Sequence, residues 1–487
     1  MKIKLMKYYF SIISALILTS CSTISGIGDA VGSINPFDRS DEKSKAAQGK
    51  VAGETDRISI LELNETLKES ENIKPEQIVL PPAYSNVSWP QVGGNAAHAL
   101  QHTDAKGSFR KLWSKSTGKG SNRKGRVVAP PVTDGGYIYT MDGNNLITAM
   151  DVISGNKLWK YKVALTERQR TRKGRVGVIE RVRDPLSLLD GSGTDKESVG
   201  GGIAVENGKL FVTSGLGVVS GLDSKTGEEI WRTVTRTPMH SAPTSAGGRV
   251  FAVSDDNELF AFNAETGEVI WTYQGIVESA RMLTAPSPAV VGDTVISGFA
   301  SGELIALRVQ NGSVLWQDAL SSAGQLTPLA SLNDIASGPV VDDGYVIASA
   351  QSGVTSAFDL RTGQRIWTQP AGSLNFPLLA GDFVYLAMTD GRIICMSKTD
   401  GSVIWIKQLR SHKNIKKKKK RISYSGPIFV GERLMVMSSR GKAITLNPYD
   451  GTIIDEFKIG GNVFIAPVIA NETVFVMTNS AKLIAFR

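Results

Sequence analysis

The sequence predicts an all-β fold, an eight-bladed β-propeller of four-stranded antiparallel blades. Three observations lead to this prediction: one motif recurs along most of the chain, β-rich runs flank each copy, and the last unit lacks a strand that the N-terminal region can supply. The 487 residues are about two to three times the length of a typical domain, which agrees with one large repetitive domain. The 50 glycines suit a fold that contains many tight turns.

The recurring motif reads small–apolar–Asp/Asn–x–x–Thr/Ser–Gly–x–x–apolar–Trp. Its copies span residues 149–159, 221–231, 261–271, 306–316, 357–367 and 395–405, and a degenerate copy at 445–455 ends in Asp455 instead of Trp. Six of the eight tryptophans in the chain occupy the last position of the motif, so chance does not explain the pattern. Units that recur every ~40–50 residues and consist of short strands are typical of propeller blades.

Each residue type in the motif has a physical role in a blade. Gly155, in the first copy, supplies the positive φ that a tight hairpin requires, and Asp151 can cap the turn amides. Trp159 adds a large apolar contact between one sheet and the next. A pair led by proline marks the start of the units, at Pro131-Val132, Pro243-Thr244, Pro288-Ala289, Pro339-Val340, Pro377-Leu378, Pro427-Ile428 and Pro467-Val468.

Counting the copies predicts how the ring closes. Seven copies define seven blades, and three further strands follow near residues 463–469, 473–477 and 483–487. Residues 109–113, whose Trp113 belongs to no other blade, supply the missing outer strand. Pairing the two ends of the domain removes open sheet edges, which invite aggregation. The propeller is therefore predicted to comprise residues 86–487.

The first 85 residues are predicted to target and tether the protein. Residues 1–20 have the basic start, apolar stretch and small residues of a secretory signal peptide. Leu18-Thr19-Ser20-Cys21 resembles the lipobox of bacterial lipoproteins, so Cys21 is the predicted lipidation site. Ser22 after it favours sorting to the outer membrane, with the propeller facing the periplasm. Residues 21–85 are polar and poor in aromatic residues, which predicts a largely flexible tether.

The repeated motif resembles the signature of the pyrroloquinoline quinone (PQQ)-type propeller repeat family. With the lipobox, the tether and eight blades, the chain is similar to those lipoproteins of the family that serve the outer-membrane β-barrel assembly (BAM) machine. Residues 89–95 also resemble the lead-in of these proteins to their propeller. The resemblance implies a non-catalytic scaffold that assists folding and insertion of outer-membrane proteins. Its implied partners are the POTRA region of BamA, other BAM subunits and unfolded outer-membrane proteins.

The same resemblance implies which loops bind the partner. They are residues 278–283 and 332–336, which precede the first strands of two neighbouring blades. The partner-binding residues so implied are Arg281, Met282 and Leu283 in one loop, and Asp334 and Ile335 in the other. No catalytic, cofactor-binding or metal-binding residue is predicted.

Two other functions stay open at this point. Quinoprotein dehydrogenases share the repeat and bind PQQ with Ca²⁺ on the propeller axis, commonly beneath adjacent cysteines. The two cysteines here, Cys21 and Cys395, are far apart, and the acidic residues mostly fall in the repeat turns. A periplasmic chaperone could instead capture nascent strands by β-augmentation at a blade edge.

The positive charge of the chain is concentrated in one place. The formal net charge is +9, and residues 410–421 alone carry eight basic residues and no acidic one. This stretch, with lysines 416–420, and an insertion at 165–199 interrupt the repeat. Each is interpreted either as a solvated loop or as a surface for anionic lipid head groups or an acidic partner. A nucleic-acid role is not expected of a lipid-anchored periplasmic protein.

Overall fold

Eight four-stranded antiparallel sheets follow one another along the part of the chain that the computed structural model describes. The described residues are 67–71, 77–105, 108–123, 125–165, 199–278, 286–320 and 333–487. Within them, no helix is long and apolar enough to cross a membrane. The arrangement confirms the predicted eight-bladed β-propeller.

Three short elements precede the first blade. They are β1 (Tyr84–Ser85), β2 (Thr103–Asp104) and β3 (Lys111–Ser116). β1 and β2 pair in parallel, which closes the intervening segment into a loop. β3 belongs to the last blade.

The strands of each blade run from the inside of the ring to the outside. Blades 1 to 4 consist of β4 (Val132–Asp134), β5 (Tyr137–Met141), β6 (Leu146–Asp151), β7 (Lys157–Lys162); β8 (Gly201–Glu206), β9 (Lys209–Ser214), β10 (Val218–Asp223), β11 (Glu229–Val234); β12 (Thr244–Ala246), β13 (Arg249–Val253), β14 (Glu258–Asn263), β15 (Val269–Gln274); and β16 (Ala289–Val291), β17 (Thr294–Gly298), β18 (Glu303–Arg308), β19 (Val314–Ala319).

Blades 5 to 8 repeat the pattern, with a small hairpin between blades 6 and 7. They consist of β20 (Val340–Asp342), β21 (Tyr345–Ala350), β22 (Val354–Asp359), β23 (Arg365–Gln369); β24 (Leu378–Ala380), β25 (Phe383–Ala387), β26 (Arg392–Ser397), β27 (Val403–Gln408); the hairpin β28 (His412–Asn414), β29 (Lys419–Arg421); β30 (Tyr424–Val430), β31 (Arg433–Ser438), β32 (Lys442–Leu446), β33 (Ile453–Lys458); and β34 (Val468–Ala470), β35 (Thr473–Met477), β36 (Lys482–Phe486) with β3 outermost.

The ring closes as predicted, because β3 pairs with β36 in the last blade. The pairing is antiparallel, with Trp113 opposite Ala485 and Lys115 opposite Leu483. The outer strand extends three residues beyond the predicted end at residue 113. The first strand of this blade is shorter than predicted and begins at Val468 instead of residue 463, directly after Pro467, which has no N–H to donate to a ladder.

The two faces of the propeller differ in how they connect the strands. One face carries the turns between the first and second strands, all two residues long, and those between the third and fourth strands, which have five or six residues. We call it the turn face. The other face carries the eight connections from each outer strand to the next inner strand, which range from 8 to 38 residues. We call it the connection face.

The turn face fastens each blade to the next through a tryptophan and a glycine. The Trp231 indole N–H donates to the Ala264 carbonyl of the following blade at 2.9 Å. Its ring covers Gly267, where an added Cβ would lie 2.2 Å from a ring carbon and where φ is +72°. The same pairing joins Trp113 with Gly155, Trp159 with Gly227, Trp271 with Gly312, Trp316 with Gly363, Trp367 with Gly401 and Trp405 with Gly451.

This geometry explains why the seventh motif copy has Asp455 in place of tryptophan. The neighbouring blade is the closing one, in which β3, from the N-terminal side of the propeller, is the outer strand and no motif turn joins it to β36. No motif turn with a glycine exists there for a tryptophan to cover. Phe457 instead lies against Phe109 and Phe486, with ring centroids 5.5 and 5.8 Å apart.

The hydrophobic core is a ring of clusters, each of which lies between neighbouring blades. One cluster joins Phe251 and Leu259 of blade 3 to Val295 and Ile305 of blade 4. Cys395 lies in the cluster of the later blades and is fully buried, as expected of a small apolar residue. Burial also raises the pKa of its thiol well above the usual range.

Residues before 86, the predicted start of the propeller, already pack on the blades. Leu67 is buried against blade 6, where the Ser70 amide donates to the Val403 carbonyl of β27 at 2.7 Å. The Ile406 amide donates to the Glu69 carboxylate at 2.9 Å. Part of the predicted tether therefore covers the outer edge of one blade. Cys21 and most of the insertion at 165–199 lie outside the described residues.

Candidate docking face

Exposed apolar side chains are a feature of the connection face. Ile276 and Val277 follow β15 and are 58% and 62% exposed. Leu374 precedes β24 and Phe464 precedes β34, at 40% and 52% exposure. Contiguous exposed apolar groups mark interaction surfaces, whereas single scattered ones are normal, so the adjacent pair Ile276 and Val277 is the more informative feature.

Ile276 and Val277 lie on a backbone that two blades hold in place. The Ile276 amide donates to the Glu303 carboxylate of blade 4 at 2.7 Å. Its carbonyl accepts from the Asn257 side-chain amide of blade 3 at 2.5 Å, and the Gly275 amide donates to the Asn257 carbonyl at 2.8 Å. A surface held in this way loses little conformational freedom when a partner binds.

The residues implied by the sequence as partner contacts fall into two groups. Arg281, Met282 and Leu283 lie outside the described residues, and three residues separate them in the sequence from this apolar pair. Asp334 and Ile335 are described, and both are buried. The Ile335 amide donates to the Phe299 carbonyl at 3.2 Å, and its side chain belongs to the core between blades 4 and 5. These two residues hold the base of their connection instead of lining its surface.

A segment that the sequence analysis treated only as a lead-in lies inside the ring. Residues 86–105, which we call the axial segment, contact the inner strand, or the turn after it, of every blade. The backbone contacts are Asn86 with Asn471, Trp89 with Thr133, Pro90 with Val205, Ala96 with Val290, Ala97 with Val341 and Thr103 with Gly431, and the Gln91 and Gln101 side chains accept from the amides of Ser245 and Gly381. The segment therefore ties the eight blades together from within.

A histidine of the axial segment is buried and uncharged. His98 is 2% exposed, its Nδ1 lies 2.8 Å from the Pro339 carbonyl oxygen, and its ring meets Phe376 edge-on at 4.9 Å. Because only an N–H can bond to a carbonyl, Nδ1 carries the proton. Burial lowers the pKa of His98 to about 4. The interior of the ring therefore gains no positive charge from this side chain at neutral pH.

An apolar cup lies where the axial segment meets the connection face. Its volume is about 220 Å³. The residues that line it come from the axial segment, from the inner strand β30 and from the connections before the inner strands β4, β24 and β34. They include Trp89, Leu100, Leu374, Phe376, Ile465 and Pro467. The lining consists almost entirely of apolar groups, with His98 and Asn375 as its polar side chains.

The cup does not fit the Ca²⁺ and quinone that dehydrogenases with this repeat hold on their axis. Ca²⁺ takes six to eight oxygen ligands in general. The lining offers no carboxylate, and its one side-chain oxygen is that of Asn375. Within the described ranges, no group of three or more His, Cys, Asp and Glu residues lies close enough together to hold a metal ion.

Comparison with known sequences finds proteins named as outer membrane assembly factors. A family model described as "Outer membrane protein assembly factor BamB" matches residues 187–407. Outer membrane protein assembly factor BamB of Yersinia pestis is 26% identical over 377 residues, which cover 77% of this chain and 88% of the relative. Over most of its length the chain is therefore similar to BamB assembly factors. The matched region spans blades 2 to 6.

Solved structures agree on the fold. The crystal structure of BamB from Moraxella catarrhalis superposes with a TM-score of 0.60 at 17% identity, over 78% of this chain and all of that one. Quinohemoprotein alcohol dehydrogenase from Comamonas testosteroni has the same TM-score at 14% identity, over 82% of this chain and 80% of that one. Overall shape therefore does not distinguish BamB proteins from the dehydrogenases. The distinction has to come from the sequence and from the residues that line the axis.

Sequence reasoning missed three features of this face. Ile276 and Val277 are β-branched and resemble strand residues, although the strand ends at Gln274 and Gly275 separates them from it. Phe464 fell inside a predicted strand, and Pro467 was the signal that the strand starts later. The axial segment contacts the blades through side chains and backbone groups of several residue types, so it leaves no regularly repeated pattern in the sequence.

Proposed function

We propose that the chain is a non-catalytic scaffold of the BAM machine, which assists the folding and insertion of outer-membrane proteins by docking through its connection face. Similarity to BamB supports the process, since the similar proteins are named as outer membrane protein assembly factors. We choose the connection face as the docking surface because Ile276 and Val277 are exposed there on a backbone that hydrogen bonds to blades 3 and 4 hold in place. Apolar anchors on a fixed backbone suit a docking surface.

The proposed partner is the POTRA region of BamA. Arg281, Met282 and Leu283 extend the apolar pair by one cation and two apolar side chains. A guanidinium beside apolar groups suits a carboxylate or a backbone carbonyl of a docked domain. Asp334 and Ile335 would act by holding the neighbouring connection in place, because their own side chains are buried.

The proposed location is the periplasmic side of the outer membrane, with acylated Cys21 as the anchor. About 45 residues separate Cys21 from Leu67, the first described residue that packs on a blade. An extended linker of that length allows the propeller to reach a partner well away from the bilayer surface. Replacing Cys21 by Ser should release the protein from membranes into the soluble periplasmic fraction.

A dehydrogenase activity is disfavoured by the cup. Its lining holds no carboxylate for Ca²⁺. We therefore expect no dye-linked alcohol oxidation when the purified chain is mixed with PQQ and Ca²⁺. Alcohol oxidation faster than that by the free quinone would show that the protein has an enzymatic activity besides any scaffold role.

β-Augmentation is a second candidate, which one observation favours. At blade 6, residues 67–71 lie along β27 and leave Val403 and Ile404 each 3% exposed. The matching residues of blade 3, Val269 and Ile270, are 44% and 42% exposed. An outer strand of this propeller thus accepts an extended segment, and the open edges offer similar sites to a nascent strand. Crosslinks from substrates to β15 and not to the connection face would favour this alternative.

Co-purification with matched variants tests the docking proposal. Arg281→Glu should abolish recovery of BamA from detergent-solubilised membranes, since loss of a buried charged partner costs about 2–5 kcal/mol. Ile276→Glu should do the same. Ile153→Glu is the control, because Ile153 is an exposed isoleucine on the turn face.

All three variants should melt like the wild type, since each substitution lies outside the core. Full recovery of BamA with both Arg281→Glu and Ile276→Glu would show that this loop is not the interface. Equal loss with Ile153→Glu would show that the connection face has no special role.

A further inference from the structure

Lysines 416–420 lie on the small hairpin of β28 and β29, which stands on the connection face between blades 6 and 7. His412 pairs with Arg421 and Asn414 with Lys419, and residues 415–418 form the turn at the tip. Every residue from 413 to 421 is exposed, so the hairpin projects into solvent. We call residues 412–421 the basic hairpin.

The base of the hairpin is fixed while its tip is free. The Arg410 guanidinium donates to the carbonyls of His412 and Lys413 at 3.0 and 2.6 Å, and Arg421 donates to the Thr389 carbonyl at 2.5 Å. Ile422, next in the chain, is buried in the core of the later blades. The hairpin is therefore a fixed projection of this face, and Arg410 and Arg421 already donate hydrogen bonds to carbonyl oxygens.

The five lysines lack such partners. None of them forms an ion pair with an acidic residue in the described ranges. They occupy the turn and the following strand, in which successive side chains point to opposite sides. Positive charge thus surrounds the tip, and Ile415, at the start of the turn, is 63% exposed beside it.

From this arrangement we propose that the tip of the basic hairpin binds the surface of an anionic phospholipid bilayer. Lysine is a point charge on a flexible stem, suited to mobile head groups, whereas a fixed carboxylate surface is better matched by the fork of arginine. Charge on all sides of an apolar tip suits end-on contact with a membrane, into which Ile415 can insert. An acidic protein surface would need the charge on one side only.

Vesicle binding tests the proposal in the full chain carrying Cys21→Ser, which removes the proposed acyl anchor. The chain should bind vesicles of phosphatidylethanolamine with phosphatidylglycerol and not vesicles of phosphatidylcholine, and high salt should abolish the binding. Changing lysines 416, 417 and 418 to Gln should weaken binding about tenfold or more. The control changes Lys157, Lys160 and Lys162 of β7 to Gln, which removes the same charge from exposed positions of blade 1 and should leave binding unchanged.

A probe at the tip tests the mode of contact. In the Cys21→Ser chain, an environment-sensitive fluorophore on Ile415→Cys should shift to the blue when anionic vesicles are added, and the same probe on Ile153→Cys should not. Cys395 is fully buried with a raised thiol pKa, so the label goes to the introduced cysteine.

Three results would overturn the proposal. If both lysine triples weakened vesicle binding equally, the binding would depend on net charge and not on the hairpin. Unchanged vesicle binding after the hairpin triple, or no shift of the probe at 415, would remove the hairpin from the contact. Absence of vesicle binding together with loss of BamA recovery in the hairpin triple would assign the lysines to an acidic protein partner.

Discussion

The turn face and the connection face of this propeller are built from the same strands, yet they differ in almost every other respect. On the turn face, every turn between first and second strands has two residues, and each motif glycine lies under a tryptophan of the neighbouring blade. On the connection face, the lengths of the connections differ almost fivefold, from 8 to 38 residues. The first pattern is what a shared fold requires, and the second is where one propeller can differ from another.

The comparison separates stability from recognition. The repeat concentrates blade-to-blade contacts on the turn face, so substitutions there should cost folding free energy. The connection face presents Ile276, Phe464 and the basic hairpin to solvent, so substitutions there should cost partner or membrane binding instead. Sequence motifs therefore report mainly on the turn face, which the proposed docking does not use.

The largest effect should come from removing a tryptophan of the turn face. Trp231→Ala deletes an indole that is 7% exposed and its hydrogen bond to the next blade, which should lower the free energy of unfolding by about 4 kcal/mol. Denaturant unfolding measures the change. A loss below about 1 kcal/mol would show that the tryptophans are not the joints between blades.

The axial segment should make stability depend on pH. His98 has a pKa of about 4 when folded and 6.5 when unfolded, so the unfolded chain binds more protons between these values. The free energy of unfolding should therefore be unaffected by His98 above pH 6.5 and fall by about 3 kcal/mol as the pH drops towards 4. His98→Asn keeps a donor for the Pro339 carbonyl, and Asn tolerates the φ of +58° at this position.

Unfolding curves of wild type and His98→Asn at several pH values isolate this contribution, because other titrating groups are common to both. The wild type should lose about 3 kcal/mol more than the variant between pH 6.5 and 4. Parallel pH profiles would mean that His98 is not buried in the neutral form.

A smaller loss should follow from filling one turn glycine. Gly267→Ala forces a residue with Cβ into a φ of +72° and against the Trp231 ring, and should cost about 2 kcal/mol. Gly248→Ala is the matched control, since φ is +75° there and nothing lies within 4 Å of the added Cβ. The melting temperature of Gly267→Ala should be lower than that of Gly248→Ala. Equal melting temperatures would mean that the positive φ, and not the contact with tryptophan, requires the motif glycine.

The smallest effect on stability is expected on the connection face. Ile276→Ser removes an exposed side chain while the backbone contacts to Asn257 and Glu303 stay, so the free energy of unfolding should change by less than about 0.5 kcal/mol. Denaturant unfolding checks this value. A loss comparable with that of Trp231→Ala would erase the distinction between the two faces.

How much the sequence revealed follows the same division. The motif predicted the blade number, the turn glycines and the closing strand because each blade repeats the same physical requirement. It could not predict that Asp334 and Ile335 are buried, since a resemblance identifies a loop but not which side chains turn inward. Nor could it show that residues 67–71 cover blade 6, because that contact depends on one buried leucine and two hydrogen bonds in a polar stretch.

Site-specific photocrosslinking in cells tests the central claim, that the connection face is the docking face. A photoreactive side chain placed at Ile276, Leu374 or Phe464 samples the connection face, and one at Ile153 samples the turn face at even greater exposure. We predict adducts with BamA from at least one position on the connection face and none from Ile153. Adducts from Ile153, with none from the other three positions, would contradict the proposed docking face.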